Sequence, residues 1–172
     1  MSAVPRATYR LQLNADFTLD AAAAVLPYLA RLGVSHAYLS PISTARPGST
    51  HGYDVVDHGR VNPELGGEAA WARFVAAARA HGLGIIVDIV PNHVGVGGSG
   101  NVWWLDVLEW GADSPYAARF DIRWYSQRAG LAGQLLVPML GRQYGEALEA
   151  GELTLRFAAD EGSLSVWLPG EL

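Results

Sequence analysis

Cysteine is absent from the 172 residues. That excludes a disulfide framework and a thiolate metal site. Basic residues are scarce, with 12 Lys and Arg against 17 Asp and Glu for a formal charge of −5. No basic stripe exists to neutralise phosphates, so no nucleic-acid partner is expected. A neutral, hydroxyl-rich ligand suits such a surface. Long apolar runs are missing too. The longest without a charge, Leu83 to Val87, falls far short of a bilayer span, so no membrane partner is expected. The N-terminal stretch Met1-Ser2-Ala3-Val4-Pro5-Arg6 lacks the apolar centre of a secretory leader. A cytoplasmic location is the resulting expectation.

Half of the chain is hydrophobic. Its length suits one ordinary domain and is short for a whole (β/α)₈ barrel, which typically needs about 250 residues. Three strands are predicted in the first half: Thr8 to Leu13, His36 to Leu39 and Leu83 to Val90. The last is nearly continuous in Ile and Val and suits a strand buried on both faces. Between them, Ala22, Val25, Leu26, Leu29 and Leu32 fall on one helical face. Pro27 is expected to kink that helix or to mark its true start. Trp71, Phe74, Val75 and Ala78 form a second stripe, with Gly67 before it and Gly82 as a C-terminal stop.

The junctions repeat. Leu32-Gly33-Val34 leads into a strand ending at Ser40-Pro41, and His81-Gly82-Leu83 leads into one ending at Val90-Pro91. Helix, glycine, strand, proline, twice over, is a β/α repeat with parallel strands and right-handed crossovers. After Val94 the pattern breaks at Gly95-Val96-Gly97-Gly98-Ser99-Gly100. Residues 1–96 are read as N-terminal β/α units and 97–172 as a Trp-rich insertion subdomain of short helices and strands. Strand-like pieces in it are Leu135 to Val137, Leu153 to Phe157 and Leu164 to Leu168. Trp103 and Trp104 read as core ahead of sugar platform.

Polar residues gather where the strands end. Ser40 closes the second strand, followed by a long loop with His51-Gly52-Tyr53-Asp54; Asp88 lies within the third strand, followed by Asn92-His93. In a parallel barrel these ends share one mouth. Tyrosine, imidazole, amide and carboxylate suit a sugar, whose C–H face stacks on rings and whose hydroxyls need donors and acceptors. Each residue also has a plainer reading. Asp88 is equally a buried hydrogen-bonding carboxylate, His93 a structural histidine and Tyr53 a packed loop aromatic. His36 and His81 flank strand starts and are assigned to stability. A metal held by His51, Asp54, Asp88 and His93 has the right chemistry but no tight ligand spacing, so no metal or cofactor is expected.

Asp88-Ile89-Val90-Pro91-Asn92-His93, with His51-Gly52-Tyr53-Asp54 upstream, resembles the α-amylase superfamily, glycoside hydrolase family 13. Leu39-Ser40-Pro41-Ile42, Asn62-Pro63-Glu64-Leu65-Gly66-Gly67, Trp103 to Glu109 and Pro138-Met139-Leu140-Gly141-Arg142 narrow the likeness to its maltooligosyltrehalose synthase branch. The resemblance covers almost the whole chain and only the N-terminal quarter or so of that branch's length. It implies an α/β fold: an incomplete (β/α)₈ TIM barrel, its first three β/α units followed by an insertion after the third strand. It implies a maltooligosaccharide or α-glucan partner and an intramolecular transglucosylation. Tyr53 would stack on the glucose at the cleavage subsite, with His51 in the same loop and Asp54 beside it. His93 would bond an outer hydroxyl, Asp88 would orient neighbouring groups and Asn92 would brace the loop. The resemblance places the catalytic carboxylates on later strands. None is expected in this chain, and the missing portion of the enzyme is a candidate partner. Three strands cannot close a barrel, so marginal stability or association is expected.

Overall fold

The computed structural model describes residues 4–128, 130–137 and 139–168. Met1 to Ala3 of the N-terminal stretch, Pro138 of the Pro138–Arg142 segment, and Pro169 to Leu172 lie outside the described residues. The chain divides into two compact units, Met1–Val96 and Gly97–Leu172. No helix among the described residues is long and apolar enough to cross a membrane.

The first unit runs β1 (Thr8–Leu11), α1 (Leu19–Leu32), β2 (His36–Leu39), β3 (Ser43–Ala45), β4 (Val55–Val61), α2 (Gly67–Ala80) and β5 (Gly84–Val87). β1, β2 and β5 form a parallel sheet in that order. Thr8, His36 and Gly84 stand opposite one another at its start, and Leu11, Leu39 and Val87 at its end. The Ser35 hydroxyl accepts from the backbone N–H groups of Arg6 and Ala7 and donates to the Ala7 carbonyl, which pins the start of β1 to β2.

Helix α1 begins where Thr18 Oγ1 accepts from the Ala21 N–H, a cap that contributes about 1 kcal/mol. Leu19, Ala22, Leu26 and Leu29 are its buried residues. The helix runs through Pro27, so the proline does not mark its start. Eight residues precede Pro27, and the buried leucines on both sides offset a cost of about 3 kcal/mol for the lost hydrogen bond and the ring's crowding. Leu32, expected on the apolar face, is 55% exposed. Gly33 ends the helix at φ 87°, a conformation open mainly to glycine.

Helix α2 buries Ala70, Phe74 and Ala78, with Trp71 half-buried and stacked on Phe74 at 6.0 Å. The two helices cover one face of the sheet, where Leu11, Leu13, Ala37, Leu39 and Leu83 complete the core. Full burial of Phe74 alone contributes about 1.5–3 kcal/mol. Arg73 joins the helices by donating from Nε and Nη2 to the two Asp20 carboxylate oxygens at 2.8 and 2.6 Å.

Several sequence expectations are corrected. β1 stops at Leu11 rather than Leu13, because the Leu13 N–H turns to the buried Ser40 hydroxyl at 2.8 Å. β5 stops at Val87 and is half-buried throughout, not buried on both faces. Among the described residues it pairs only with β2 and forms a sheet edge. Asp88 therefore sits just past the strand, although its N–H still reaches the Leu39 carbonyl at 3.0 Å. The stretch read as one long loop after β2 is framed by an antiparallel ribbon of β3 and β4, with irregular register at Ser43, Thr44 and Ala45.

The second unit contains α3 (Val102–Trp110), α4 (Tyr144–Glu149), β6 (Thr154–Ala158) and β7 (Ser163–Trp167). Asn101 caps α3 by accepting from the N–H groups of Trp103 and Trp104. Trp104 and Val107 are buried, whereas Trp103 is 41% exposed and stacks on Tyr116 at 5.5 Å. Only the second tryptophan fits the core reading. β6 and β7 pair antiparallel, with Leu155 opposite Val166 and Phe157 opposite Leu164. Leu135 to Val137 form no strand, since a short apolar run without a ladder partner has nothing to hold it extended.

One close approach in the sheet yields a direct test. A methyl group added at Gly84 would run into the ring of His36, itself buried in the neighbouring strand. Gly84→Ala is expected to cost about 1–3 kcal/mol of stability and to lower the thermal unfolding midpoint. A His36→Ala, Gly84→Ala double variant should recover part of that loss. An unchanged midpoint in Gly84→Ala would show that the ring does not bear on β5.

Candidate functional site

Strand alternation selects the site residues. In register, Arg10 of β1, Tyr38 of β2 and Ile86 of β5 stand side by side. Side chains two residues apart share a face, so Gln12 follows Arg10, and Asp88 follows Ile86. The opposite face carries Ala37, Leu39 and the residues packed beneath the helices. One face is thus committed to the core, and the other presents Arg10, Gln12, Tyr38 and Asp88 at the carboxyl ends of parallel strands.

The Asp88 carboxylate is the centre of this group. Its Oδ2 accepts from Arg10 Nη1 at 2.8 Å, from the Tyr53 hydroxyl at 2.6 Å and from the Tyr38 hydroxyl at 3.2 Å. Arg10 Nη2 also donates to the Tyr53 hydroxyl at 2.8 Å, and the guanidinium lies 4.4 Å from the centre of the Tyr38 ring. The hydrogen bond from Tyr53, then that from Arg10, hold the Asp88 carboxyl below its ordinary range, against partial burial. The same bond to Asp88 pushes the Tyr53 phenol up. Burial works against the Arg10 charge, but the bonds to Asp88 and Tyr53 outweigh it and raise Arg10.

The loop bearing Tyr53 is shaped by short-range bonds. Gly52 has φ 76°, and a methyl group there would stand 2.9 Å from the Pro41 carbonyl, so only glycine fits without displacement. The Ser49 hydroxyl donates to Asp54 Oδ1 and accepts from the Gly52 N–H. His51 Nδ1 accepts from the Tyr53 N–H, and the two rings stack at 6.0 Å. Gln12 Nε2 donates to the carbonyls of His51 at 3.1 Å and Thr50 at 3.4 Å.

The structure brings five of the six candidate residues into one bonded set: Tyr53 with Asp88, His51 with Tyr53, His93 with Tyr53 and Asn92 with His93. His93 Nε2 lies 3.2 Å from the Tyr53 carbonyl, which can only accept, so Nε2 carries a proton there. Its Nδ1 lies 3.2 Å from the Asn92 side chain. With Nε2 donating to Tyr53, a sugar oxygen bonded by that nitrogen would replace the carbonyl. Asp54, the sixth, braces its own loop through Ser49 and stands 3.9 Å from His51. Ser40 is fully buried and holds Leu13, away from any ligand.

Arg10, Gln12 and Tyr38 were missed by sequence reasoning. The signal that finds them is the parallel register, which sets Arg10 and Tyr38 side by side one residue before the strand ends. A cleft of about 420 Å³ opens beside Asp88, lined among others by Pro41, Val55, His58, Val87 and Val90. Separate clefts of about 510 and 540 Å³ in the second unit contain none of the candidate residues. No group of three or more His, Cys, Asp or Glu side chains that could hold a metal occurs among the described residues.

Parallel strands with such a polar array at their carboxyl ends are the architecture of the α-amylase class of TIM-barrel enzymes. The chain belongs to that family: residues 16–138 match the one described as "Alpha amylase, catalytic domain". Within it, the chain is 48% identical over 169 residues to the maltooligosyl trehalose synthase of Mycobacterium tuberculosis (strain ATCC 25618 / H37Rv), across 90% of this chain and 22% of that protein. The solved maltooligosyltrehalose synthase from Arthrobacter ramosus is similar at 44% identity and TM-score 0.80, over 95% of this chain and 21% of that one. A malto-oligosyltrehalose trehalohydrolase of Rhizobium sp. (strain M-11) is 48% identical over 82 residues, 48% of this chain and 14% of that protein. The chain therefore spans about a fifth of the length of the synthases it matches.

The depressed Asp88 carboxyl has a pH consequence. Its stabilisation is fully present above the ordinary carboxylate value of about 3.9 and is lost as pH falls through the lower folded value. Asp88→Asn should destabilise the first unit by about 1–2 kcal/mol at neutral pH. The difference between native and variant melts should shrink below pH 4 and stay constant from about pH 5 to 8. A gap that persists unchanged to pH 2 would show that ionised Asp88 does not hold the cluster.

Proposed function

We propose that this chain forms one wall of the glucose pocket in a maltooligosyltrehalose synthase-type enzyme. On this reading its first unit is the first three β/α units of the catalytic barrel, and residues 97–172 belong to an insertion after the third strand. The setting is cytoplasmic and the substrate is a maltooligosaccharide. The observation that carries the reading is the convergence of Tyr53, Asp88 and His93 at one end of the sheet, with Tyr53 37% exposed. An exposed ring with its hydroxyl tied down suits the C–H face of a pyranose, and the surrounding carbonyl, amide and imidazole groups suit its hydroxyls.

The reaction would convert the reducing-end α-1,4 link into an α,α-1,1 link. A carboxylate attacks the anomeric carbon and the bond to the leaving glucose breaks, while a second carboxyl protonates the departing oxygen. The anomeric hydroxyl of that same glucose then attacks the glycosyl intermediate and returns its proton to the second carboxylate. No atom is gained or lost. Water must be excluded, since it would compete as the attacking group. The reacting carboxylates are assigned to parts of the enzyme beyond these residues, which makes the remaining polypeptide the natural partner.

A trehalohydrolase-like or other α-amylase-type role is the second reading. It draws on the 82-residue likeness to the trehalohydrolase, which spans about half of this chain.

Titration calorimetry with maltopentaose at millimolar concentration tests the proposal. Weak heat is expected for the native chain, and Tyr53→Ala should remove it, since loss of a stacking ring costs roughly tenfold or more. No trehalose-ended product should form from the chain alone. Absence of any binding at millimolar sugar would sink the glucan assignment, and turnover by the isolated chain would overturn the placement of the carboxylates.

A further inference from the structure

We infer that Arg10 is the positioning residue of this wall, its flat guanidinium holding the Tyr53 ring and the Asp88 carboxylate in one array against the sheet. The inference rests on the glucan reading for its substrate but not for its geometry. Arg10 Nη1 meets Asp88 Oδ2, Arg10 Nη2 meets the Tyr53 hydroxyl, and that hydroxyl donates to the same Oδ2, at 2.8, 2.8 and 2.6 Å. The three bonds close a ring. The tyrosine hydroxyl accepts from one member and donates to the other, so its proton has one direction and the hydroxyl end of the ring is held in place.

The location of the two residues gives this ring its importance. Tyr53 lies on a connection between β3 and β4, whereas Arg10 rises from β1 in the sheet. The Tyr53 hydroxyl bonds to Arg10 within β1 and to Asp88 just past β5, while its ring stacks on His51 of the same loop. Gln12, on the same face of the chain as Arg10, adds bonds to the backbone of His51 and Thr50. Packing over Tyr38 keeps the guanidinium flat. Lysine is a poorer fit, because its ammonium offers rotatable donors in place of a rigid planar fork that presents two donors at fixed spacing. A ring already held in place loses less freedom when sugar binds, and affinity rises accordingly.

The native chain, Arg10→Met and Arg10→Lys are to be compared by maltopentaose calorimetry and by carbon NMR titration of the Asp88 carboxyl, with thermal melts to verify folding. Arg10→Met should weaken sugar binding roughly tenfold and move the Asp88 carboxyl up toward its ordinary value. Arg10→Lys should keep the carboxyl depressed yet bind as weakly as Arg10→Met, separating positioning from charge. In a Tyr53→Phe background, which keeps the stacking ring but lacks the hydroxyl, Arg10→Met should cost markedly less binding. Full binding by Arg10→Lys, or an undiminished Arg10→Met loss in the Tyr53→Phe background, would overturn the inference. Absence of binding by the native chain would end the glucan reading instead. Arg10 would then be judged on the carboxyl titration, and an Asp88 unmoved by Arg10→Met would count against it.

Discussion

A single carboxylate oxygen ties the first unit's polar face together. Asp88 Oδ2 receives donors from β1, from β2 and from the connection between β3 and β4, while the residue itself follows β5. Half-removing a carboxylate from water is unfavourable unless donors replace the lost hydration. Three donors on one oxygen do that here, and one of them is a full positive charge. The arrangement has a geometric consequence as well. Three strand ends and a surface loop share one acceptor, so the distances among them are set by hydrogen bonds of 2.6 to 3.2 Å. Loops are ordinarily the mobile part of such a fold; this one is anchored through the exposed Tyr53.

The parallel register makes that arrangement possible without compromising the core. Alternation sends Ala37 and Leu39 toward α1 and α2 and Arg10 and Tyr38 the other way. Stability and site chemistry are thus assigned to opposite faces of the same four-residue strands. Leucine, alanine and phenylalanine bury the helix side, where Leu19, Ala22, Leu26 and Phe74 are wholly enclosed. The polar face has no such burden and stays partly open to solvent. His36 and Gly84, at the start of the strands, belong to the stability side of the division: the ring of one fills the space that the other's missing side chain leaves.

What the sequence revealed followed from how local each signal was. The two helices, β2 and the glycine stops at Gly33 and Gly82 were legible because capping, periodicity and positive φ act within a few residues. The motif residues His51 to Asp54 and Asp88 to His93 were legible through resemblance. Arg10 and Tyr38 were not, because their roles depend on which residue of β1 lies beside which residue of β2, and no short stretch of chain records that pairing. The β3–β4 ribbon was hidden for a related reason: Val55-Val56-Asp57-His58-Gly59-Arg60-Val61 neither alternates nor runs apolar, and its extended form depends on the partner strand. β5 was overdrawn at Leu83 to Val90 because apolar content signals burial and says little about where a ladder ends. Pro27 misled in the opposite sense, since a strong local rule yielded to leucines buried on both sides of it.

The electrostatics of Asp88 suit a residue that orients its neighbours better than one that reacts. A general acid in glycoside chemistry needs a carboxyl raised toward neutrality, by apolar surroundings or by a like charge nearby. Asp88 has the opposite environment, with a guanidinium and two phenol hydroxyls favouring the ionised form. It will not carry a proton to a leaving group near neutral pH. As a nucleophile it is poorly suited too, because the oxygen that Arg10, Tyr38 and Tyr53 share is already engaged, and attack by it would break the bonds that orient Tyr53. A carboxylate stabilised this strongly is suited to remain unchanged through a reaction. Its value lies in constancy: on the proposed reading, a fixed negative acceptor beside a fixed aromatic ring would let a neutral sugar be gripped in the same pose while bonds are exchanged at its anomeric carbon.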